Sequence, residues 1–375
     1  MKKIVGTIAA IALAASSAFA GVNVGMGFNR GFFVPFAYDG TDAKAGISTS
    51  WGAEPRVGVS FSAASEQVGV VADVKFDGGN VAVNDNAYIW VKPVEWFKMN
   101  IGQSFDDTLR GNACFGSWDW LRPGNILGED LTFTRVCQNP FEGAYAPLQG
   151  VILMLDPIEG LHISVGLPTG YGIAANWEDL ISYTQVQAGY TIADVAQIKA
   201  QWIGKGKNAD DELEGQFEVA ASVKAIEGMT LDVGAKFRTF DITDSESNFY
   251  GYSPVTIGAF WGMPVAGLAL NANALVSIPT ADNADMSLAI GAGVGYDLGN
   301  GMGVGADVRY SQAFAKVGDE SESSDPAIAF AAWFDKGIAN GTLGVAVQGA
   351  TKTTIRDIAK SDFSFAVPVR VQCFF

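Results

Sequence analysis

The chain has 375 residues, of which 49% are hydrophobic and only 17% are charged. Its formal net charge is −16, with 40 acidic and 24 basic residues, which argues against nucleic-acid binding because phosphate contacts need clustered Lys and Arg. After residue 20, no stretch reaches the ~18 consecutive apolar residues that a transmembrane helix needs.

The first twenty residues have the composition of a secretory signal peptide. A short basic start is followed by an apolar run from Ile4 to Ala15, which is shorter than the ~18 residues of a spanning helix. Residues 18–20 are a small-residue cleavage site, so Gly21 is the expected mature N-terminus. An N-terminal membrane anchor is the alternative interpretation. We predict a cleaved signal peptide over 1–20 and one folded unit over 21–375.

The rest of the chain repeats one pattern, in which apolar residues alternate with small or polar ones along short runs. Between 231 and 238, for example, Leu, Val, Ala and Phe alternate with Asp, Gly, Lys and Arg. Side chains of a strand point alternately to opposite faces, so each run is a predicted β-strand with one apolar face. Residues 30–55 are ambiguous, so a barrel of sixteen strands fits the sequence nearly as well as the eighteen strands counted. The predicted strands are 22–28, 56–63, 68–76, 80–91, 96–103, 150–156, 161–168, 181–192, 197–204, 216–225, 229–240, 254–261, 267–277, 287–298, 302–314, 327–335, 341–350 and 363–375.

The second face of these strands decides between two all-β architectures. It carries Gly, Ala and Ser with isolated charges, whereas the solvent face of a soluble sandwich is usually rich in Lys, Glu and Thr. The confined, wet interior of a barrel fits this composition better. The predicted fold is all-β, a transmembrane antiparallel β-barrel of about 16–18 strands. A soluble β-sandwich array is the alternative.

Short turns alternate with longer polar stretches between the predicted strands. Gly, Asn, Asp and Pro dominate the turns, as tight hairpins require. The longer stretches carry most of the acidic residues, for which solvated loops are a simpler explanation than cation binding. Short turns at one end and long loops at the other are typical of outer-membrane barrels, where they are periplasmic and extracellular respectively. The predicted turns are 92–95, 156–160, 193–196, 226–228, 262–266, 299–301 and 336–341.

One insertion, over 104–147, is longer than any other connection. A loop of this length in a compact fold is usually functional or disordered. Cys114 and Cys137 both lie in it, and we predict that they form a disulfide, because an exported chain meets an oxidising compartment. The insertion is predicted to fold into the barrel mouth as a constriction that filters solutes by size and charge. A loop that caps the barrel from outside is the alternative. The constriction candidates are Arg110, Trp118, Asp119, Trp120, Arg122, Glu129, Asp130 and Arg135.

Strand alternation also assigns charged side chains to the barrel interior. The single histidine, His162, takes the lumen side, which fits neither the lipid-facing histidine of a serine–histidine phospholipase nor the extracellular cleft of an omptin-like protease. One histidine cannot form a His-based metal cluster. We therefore predict no enzyme activity, no cofactor and no metal. The principal lumen charges are Lys236, Arg238, Asp307 and Arg309, and the same alternation adds Lys75, Lys98, Lys199, Lys224, Arg370, Asp73, Glu218 and Asp232.

The last strand supplies the most specific motif. From Phe363 to Phe375 every second residue is apolar, Cys373 lies on the apolar face as an expected buried thiol, and the run ends on an aromatic residue. With the signal peptide and the repeated hairpins, this motif resembles the general bacterial porins. The segments GVNVGMGFNRGFFVP and KPVEWFKMNIGQ more particularly resemble the spirochaete major outer-membrane porins of the treponemal kind.

The resemblance implies an outer-membrane channel for passive diffusion of small hydrophilic solutes and ions, often a homotrimer. It also implies that the barrel assembly machinery reads Phe375 as an insertion signal, and that outer-membrane lipid surrounds the barrel. Two other functions stay open at this point. One is a surface adhesin or structural protein that the barrel only anchors, and the other is a sugar-selective channel.

Overall fold

The structure of the chain is a computed structural model, which is described here for twelve ranges. Residues 1–22, which include the predicted signal peptide, lie outside them. Most of the insertion and Phe375 also lie outside. The described ranges are 23–26, 29–38, 43–48, 57–77, 80–109, 150–168, 177–239, 255–278, 284–317, 320–323, 327–351 and 363–373.

The described residues form strands almost throughout. One short helix, α1 (Trp177–Ser182), precedes β10. Within these ranges no helix is long and apolar enough to cross a bilayer. The strands are β1 (Asn23–Met26), β2 (Asn29–Tyr38), β3 (Ala43–Ser48), β4 (Val57–Ala64), β5 (Val68–Asp77), β6 (Asn80–Val94), β7 (Phe97–Gln103), β8 (Gly150–Ile158), β9 (Leu161–Pro168), β10 (Gln185–Ile192), β11 (Ala196–Lys207), β12 (Leu213–Val223), β13 (Thr230–Arg238), β14 (Val255–Val265), β15 (Leu268–Ile278), β16 (Ala284–Gly299), β17 (Met302–Val317), β18 (Glu320–Ser323), β19 (Ala327–Ile338), β20 (Gly341–Thr351) and β21 (Phe363–Cys373).

The strands pair antiparallel with their chain neighbours and close into a ring. From β4 to β17 each strand pairs with the next, and β17, β19, β20 and β21 continue the series. The ring closes because β2 pairs with β21 while β1, just before it in the chain, pairs with β4. β18 extends β19 along the end of β17, and β3 pairs with β2.

The size of the ring follows from this pairing. The strands β4 to β17 contribute fourteen members, and the β1–β2 strand, the β18–β19 strand, β20 and β21 contribute four more. The predicted antiparallel barrel of about 16–18 strands is confirmed, with eighteen members in the described ring. A closed ring leaves no free sheet edge, which is the condition for crossing hydrocarbon with strands.

The two faces of the wall have opposite chemistry. In β12, Phe217 is 41% exposed, whereas Glu218, the next residue, is 2% exposed. The same alternation runs through β17, where Val308 is 48% exposed and Arg309 only 1%. Large apolar side chains therefore cover the outside, and polar or charged side chains are buried inside. This is the reverse of a soluble β-sandwich and suits a wall that faces lipid outside and a polar lumen inside.

The short turns lie together at one end of the barrel. The seven predicted turns fall at or overlap seven connections that all lie at this end, namely β6–β7, β8–β9, β10–β11, β12–β13, β14–β15, β16–β17 and β19–β20. The long connections β7–β8, β9–β10, β13–β14 and β20–β21 lie at the opposite end. At the β16–β17 turn, Asn300 has φ 54° and Gly301 φ 70°. Two positive φ values are what a type I′ turn requires, and Asn-Gly is its preferred sequence.

A β-branched residue in this turn is expected to destabilise the barrel. In Asn300→Val the new side chain meets the backbone in the left-handed region, which costs about 1–2 kcal/mol. The check is the free energy of unfolding, measured by urea titration in lipid vesicles. Leu298→Val, on the exposed face of β16, is the control and should cost less than about 0.5 kcal/mol. Equal stability of Asn300→Val and the wild type would contradict the turn geometry.

The structure differs from the predictions at several positions. The ambiguous region 30–55 contains β2 and β3. The strand predicted from residue 181 begins at Gln185, because α1 continues to Ser182 and the Thr184 side chain donates to the carbonyl of Leu180. Lys224, predicted in the lumen, is an exposed residue of the β12–β13 connection. Cys373 lies on the outer face as predicted, but it is half-buried rather than buried.

Candidate functional site

A row of polar side chains crosses five neighbouring strands on the inner wall. Its members are direct cross-strand partners from β10 to β14, and each is at most 6% exposed. The register of the hairpins thus places one polar side chain of each strand directly beside a polar side chain of the next strand. The row consists of Gln187, Gln201, Glu218, Lys236 and Thr256.

Glu218 is the centre of the hydrogen bonds in this row. Lys236 Nζ lies 3.0 Å from its Oε1, and the side-chain amides of Gln201 and Gln216 both donate to its carboxylate. Gln216 Oε1 in turn accepts a 2.8 Å hydrogen bond from Nε of Arg238. Two basic side chains and one carboxylate therefore share a single network. A buried carboxylate needs this degree of compensation, since unpaired burial of a charge is costly.

Further lumen charges lie on β17, β19 and β21, several strands along the ring from this row. Asp307 and Arg309 of β17 are 4% and 1% exposed, and their cross-strand partners are only Gly and Ala residues of β16 and β19. Small partners leave room for the long Arg309 side chain. Arg370 of β21 donates a 2.7 Å hydrogen bond to Asp335 of β19. Charges of both signs are thus distributed around the inner wall.

The insertion after β7 begins inside the barrel. Asp106 is 3% exposed and contacts the inward-facing side chains of β9 and β10. Its Oδ2 lies 2.7 Å from Nε2 of His162, accepts from the Ser164 hydroxyl at 2.5 Å and accepts from the Gln187 amide at 2.7 Å. Its Oδ1 accepts from the hydroxyl of Thr108 at 2.6 Å. We call Asp106, His162, Ser164 and Gln187 the anchor cluster.

The direction of this segment follows from the strand register. Phe97 pairs with Leu155, and Leu155 pairs with Ile163, so His162 lies near the level at which β7 begins. The chain leaves the wall at the other end of β7 and still reaches His162 by residue 106. It therefore folds back along the inside of the wall. Leu109, which is 3% exposed, packs over Gly189. A Cβ atom at position 189 would collide with the Leu109 side chain.

The charge state of Asp106 is set by its partners. Burial raises its pKa, but the hydrogen bonds from His162, Ser164 and Thr108 outweigh burial and hold the pKa well below its ordinary value. His162 lies between two carboxylates, with Nδ1 2.7 Å from Asp156 Oδ1. A neutral imidazole has a single N–H, so only the doubly protonated ring can donate to both. The cluster is therefore an ion-paired connection between the insertion and the wall.

The anchor cluster contains Ser, His and Asp, but not in a catalytic order. A nucleophilic triad needs the histidine between the serine and the acid, so that it can remove the hydroxyl proton. In this cluster Asp106 receives hydrogen bonds from both Ser164 and His162, and the second nitrogen of His162 faces Asp156. The arrangement positions a segment and does not activate a nucleophile. Among the described residues, no group of three or more His, Cys, Asp or Glu could hold a metal ion.

The structure covers only part of the predicted site. The lumen charges Lys236, Arg238, Asp307 and Arg309 all lie on the inner face. The anchor cluster was missed by sequence reasoning, although the inward parity of His162 and Ser164 and an aspartate at the start of the insertion were visible signals. The constriction candidates Arg110, Trp118, Asp119, Trp120, Arg122, Glu129, Asp130 and Arg135 and the cysteines Cys114 and Cys137 lie outside the described residues.

The closed antiparallel ring and its apolar exterior define an outer-membrane β-barrel. Solved structures with this fold include OccAB1 of Acinetobacter baumannii, with a TM-score of 0.58 and 10% identity over 94% of this chain and 96% of that one. OpdK of Pseudomonas aeruginosa gives a TM-score of 0.58 and 11% identity over 95% of this chain and 99% of that one. The structure of OpdK with vanillate gives 0.57 and 12% over 94% and 98%.

These similarities concern the fold alone, because the identities are low. No protein-family model matches the chain, and no curated protein matches it. The narrower resemblance to treponemal porins therefore has no support from the comparisons, whereas the outer-membrane barrel class does.

Proposed function

We propose that the chain forms a water-filled channel for passive diffusion of small hydrophilic solutes and ions across the outer membrane. One observation carries the proposal, namely a closed ring of eighteen strands whose inner face is polar and charged. Barrels of 16–18 strands are wide enough to leave an aqueous channel, whereas eight strands are filled by their own side chains.

We further propose that the insertion narrows this channel. The anchor cluster supports the idea, because it ties residues 104–109 to the inner wall rather than to the rim. Charged groups of both signs on the surrounding wall would then act on solutes at close range, where a constriction has its largest effect on selectivity. The disulfide between Cys114 and Cys137 and the eight constriction candidates belong to this proposal.

The remaining parts of the proposal concern export and assembly. Cleavage of residues 1–20, recognition of Phe375 by the barrel assembly machinery and assembly into a homotrimer are expected for such a channel. A barrel-anchored adhesin or structural protein and a sugar-selective channel are the competing functions. Saturable block of the current by sugars would favour the last of these.

Conductance in planar lipid bilayers is the direct test of the proposed function. The purified and refolded protein should give stable, large current steps that rise linearly with voltage. Steps in groups of three would indicate a trimer. The absence of any conductance from protein that is demonstrably folded as a β-barrel would contradict the channel and favour the anchor function.

Removal of Lys236 is expected to shift the channel towards cations. In Lys236→Met the carboxylate of Glu218 loses its ion-pair partner, so the inner wall becomes more negative. We expect the cation-to-anion permeability ratio to rise about twofold, because a single charge on a wide, wet pore is strongly screened. The reversal potential across a potassium chloride gradient measures this ratio.

The matched control for this variant is Lys224→Met, which removes the same charge from an exposed residue between β12 and β13. It should leave the permeability ratio within experimental error of the wild type. Equal shifts for the two variants would mean that total charge, and not the inner wall, sets the ion preference.

A further inference from the structure

The short helix α1 lies on the outer side of the barrel rim. In β11, Trp202 and Gly204 belong to the outer face, because Ile203 between them is 4% exposed on the inner one. A Cβ at Gly204 would meet the carbonyl oxygen of Ser182, the last residue of α1. The end of the helix therefore packs over the outer face of β11, at the end of the barrel that carries the long connections.

The helix has one polar side and one apolar side. Ser182 is 2% exposed against the barrel, and Glu178, although its side chain is 74% exposed, brings Oε2 to 3.4 Å from Nζ of Lys207. The apolar side turns away, since Trp177 is 74% exposed and Ile181 is 61% exposed. The two are four residues apart, so they lie on one helical face. None of the described residues covers the side chains of Trp177 and Ile181.

This apolar face continues the outer surface of the wall. Below α1, the outward-facing Val186 of β10 is 37% exposed and Phe217 of β12 is 41% exposed. Leu213, at the upper end of β12, is 49% exposed. The apolar outer surface thus reaches the level of the helix. Trp is the side chain that favours the boundary between headgroups and acyl chains, because its ring is apolar and its N–H is polar.

We propose that α1 is an interfacial anchor, which inserts Trp177 and Ile181 into the headgroup–acyl boundary of the lipid at the long-loop end of the barrel. Its occupant is a lipid surface rather than a protein, because the face is continuous with the wall that lipid already covers. The contact would hold α1 against the membrane surface and away from the mouth of the channel.

Fluorescence quenching by brominated lipid tests this contact. The refolded protein is placed in phosphatidylcholine vesicles whose acyl chains are brominated close to the headgroup, and the quenched fraction of tryptophan emission is measured. Trp177→Phe should remove the lipid-quenched emission of one of the nine tryptophans and so lower the quenched fraction. Trp90→Phe is the control, because Trp90 lies on the inner face against Gly69, with Nζ of Lys98 5.4 Å above its ring. Its removal should not lower the quenched fraction.

A second variant separates lipid contact from simple loss of a tryptophan. Ile181→Asn should weaken the insertion of α1, so that Trp177 becomes less sensitive to brominated lipid and more sensitive to acrylamide in the water. Each variant is checked as a folded barrel by gel electrophoresis, in which the heated sample should migrate more slowly than the unheated one. The proposal would be overturned if, in the folded wild type, acrylamide quenched the emission of Trp177 and brominated lipid did not. Conductance does not enter the test, so it is independent of the channel function.

Discussion

Replacing Val233 with arginine is expected to lower the free energy of unfolding by about 2–4 kcal/mol. Val233 lies in the central part of β13, on the outer face, where it is 42% exposed. In the membrane this surface meets hydrocarbon, and an arginine side chain placed there loses its hydration without gaining a partner. Urea titration of the refolded protein in lipid vesicles, followed by tryptophan fluorescence, measures the loss.

The matched control is Gly234→Arg, one residue further along the same strand. Gly234 pairs with Ala220 and Gly258, and its side-chain position points to the inner face. The guanidinium can therefore reach the polar lumen, and we expect a loss below about 1 kcal/mol. Equal losses at positions 233 and 234 would contradict the assignment of the two faces and, with it, the barrel.

The strands of the barrel wall could be predicted from sequence because their outer faces contact lipid and are therefore apolar. Outward positions are mostly apolar, so a period of two identifies the strands from β4 to β21 apart from β18, Glu320–Ser323, which no predicted strand covers. The turns were also predictable, since positive φ values favour Asn, Asp and Gly at positions such as Asn300 and Asp194. These signals are local, and each can be recognised within about ten residues.

Strands β2 and β3 escaped prediction, and for β2 the reason is local. In β2 apolar residues follow one another, and its pairing with β21 shifts register between Phe33 and Phe36. An irregularity of this kind changes which side chains share a face, so a strict alternation is no longer visible. The helix α1 escaped because six residues are too few for a helical period to stand out from the neighbouring strand.

The anchor cluster could not be predicted, because its contacts depend on how distant segments meet. Asp106 and His162 are 56 residues apart, and Asp106 and Gln187 are 81 apart. Strand parity placed His162 in the lumen, but it carried no information on what would fold back against it. Only the closure of the ring and the reversal of the chain after β7 bring these groups together.

The anchor cluster also gives the insertion a defined response to acid. Because the pKa of Asp106 is held below its ordinary value, the folded form binds fewer protons than the unfolded one. The resulting stability is fully present above about pH 4, the pKa range of an unfolded aspartate, and is lost as the pH falls through the lower pKa of the folded form. The insertion should therefore stay attached to the wall at neutral and mildly acidic pH.

Replacing Asp106 with alanine is expected to release the insertion from the wall and to destabilise the protein by about 3–5 kcal/mol, the usual cost of removing one partner from a buried ion pair. The substitution leaves His162, Ser164 and Gln187 without their shared acceptor. Urea titration measures the stability. Single-channel recording should show a noisier current than that of the wild type, because a segment that is no longer fixed moves within the lumen.

The adjacent residue provides the matched control for this last variant. Asp107→Ala removes the same side chain from an exposed position beside the buried one, so the loss should stay within about 0.5 kcal/mol and the current should keep its wild-type noise. If Asp106→Ala and Asp107→Ala lost the same stability, the anchor cluster would not hold the insertion. If Asp106→Ala lost stability but kept a quiet current, the cluster would stabilise the barrel without fixing any segment that borders the path of the ions.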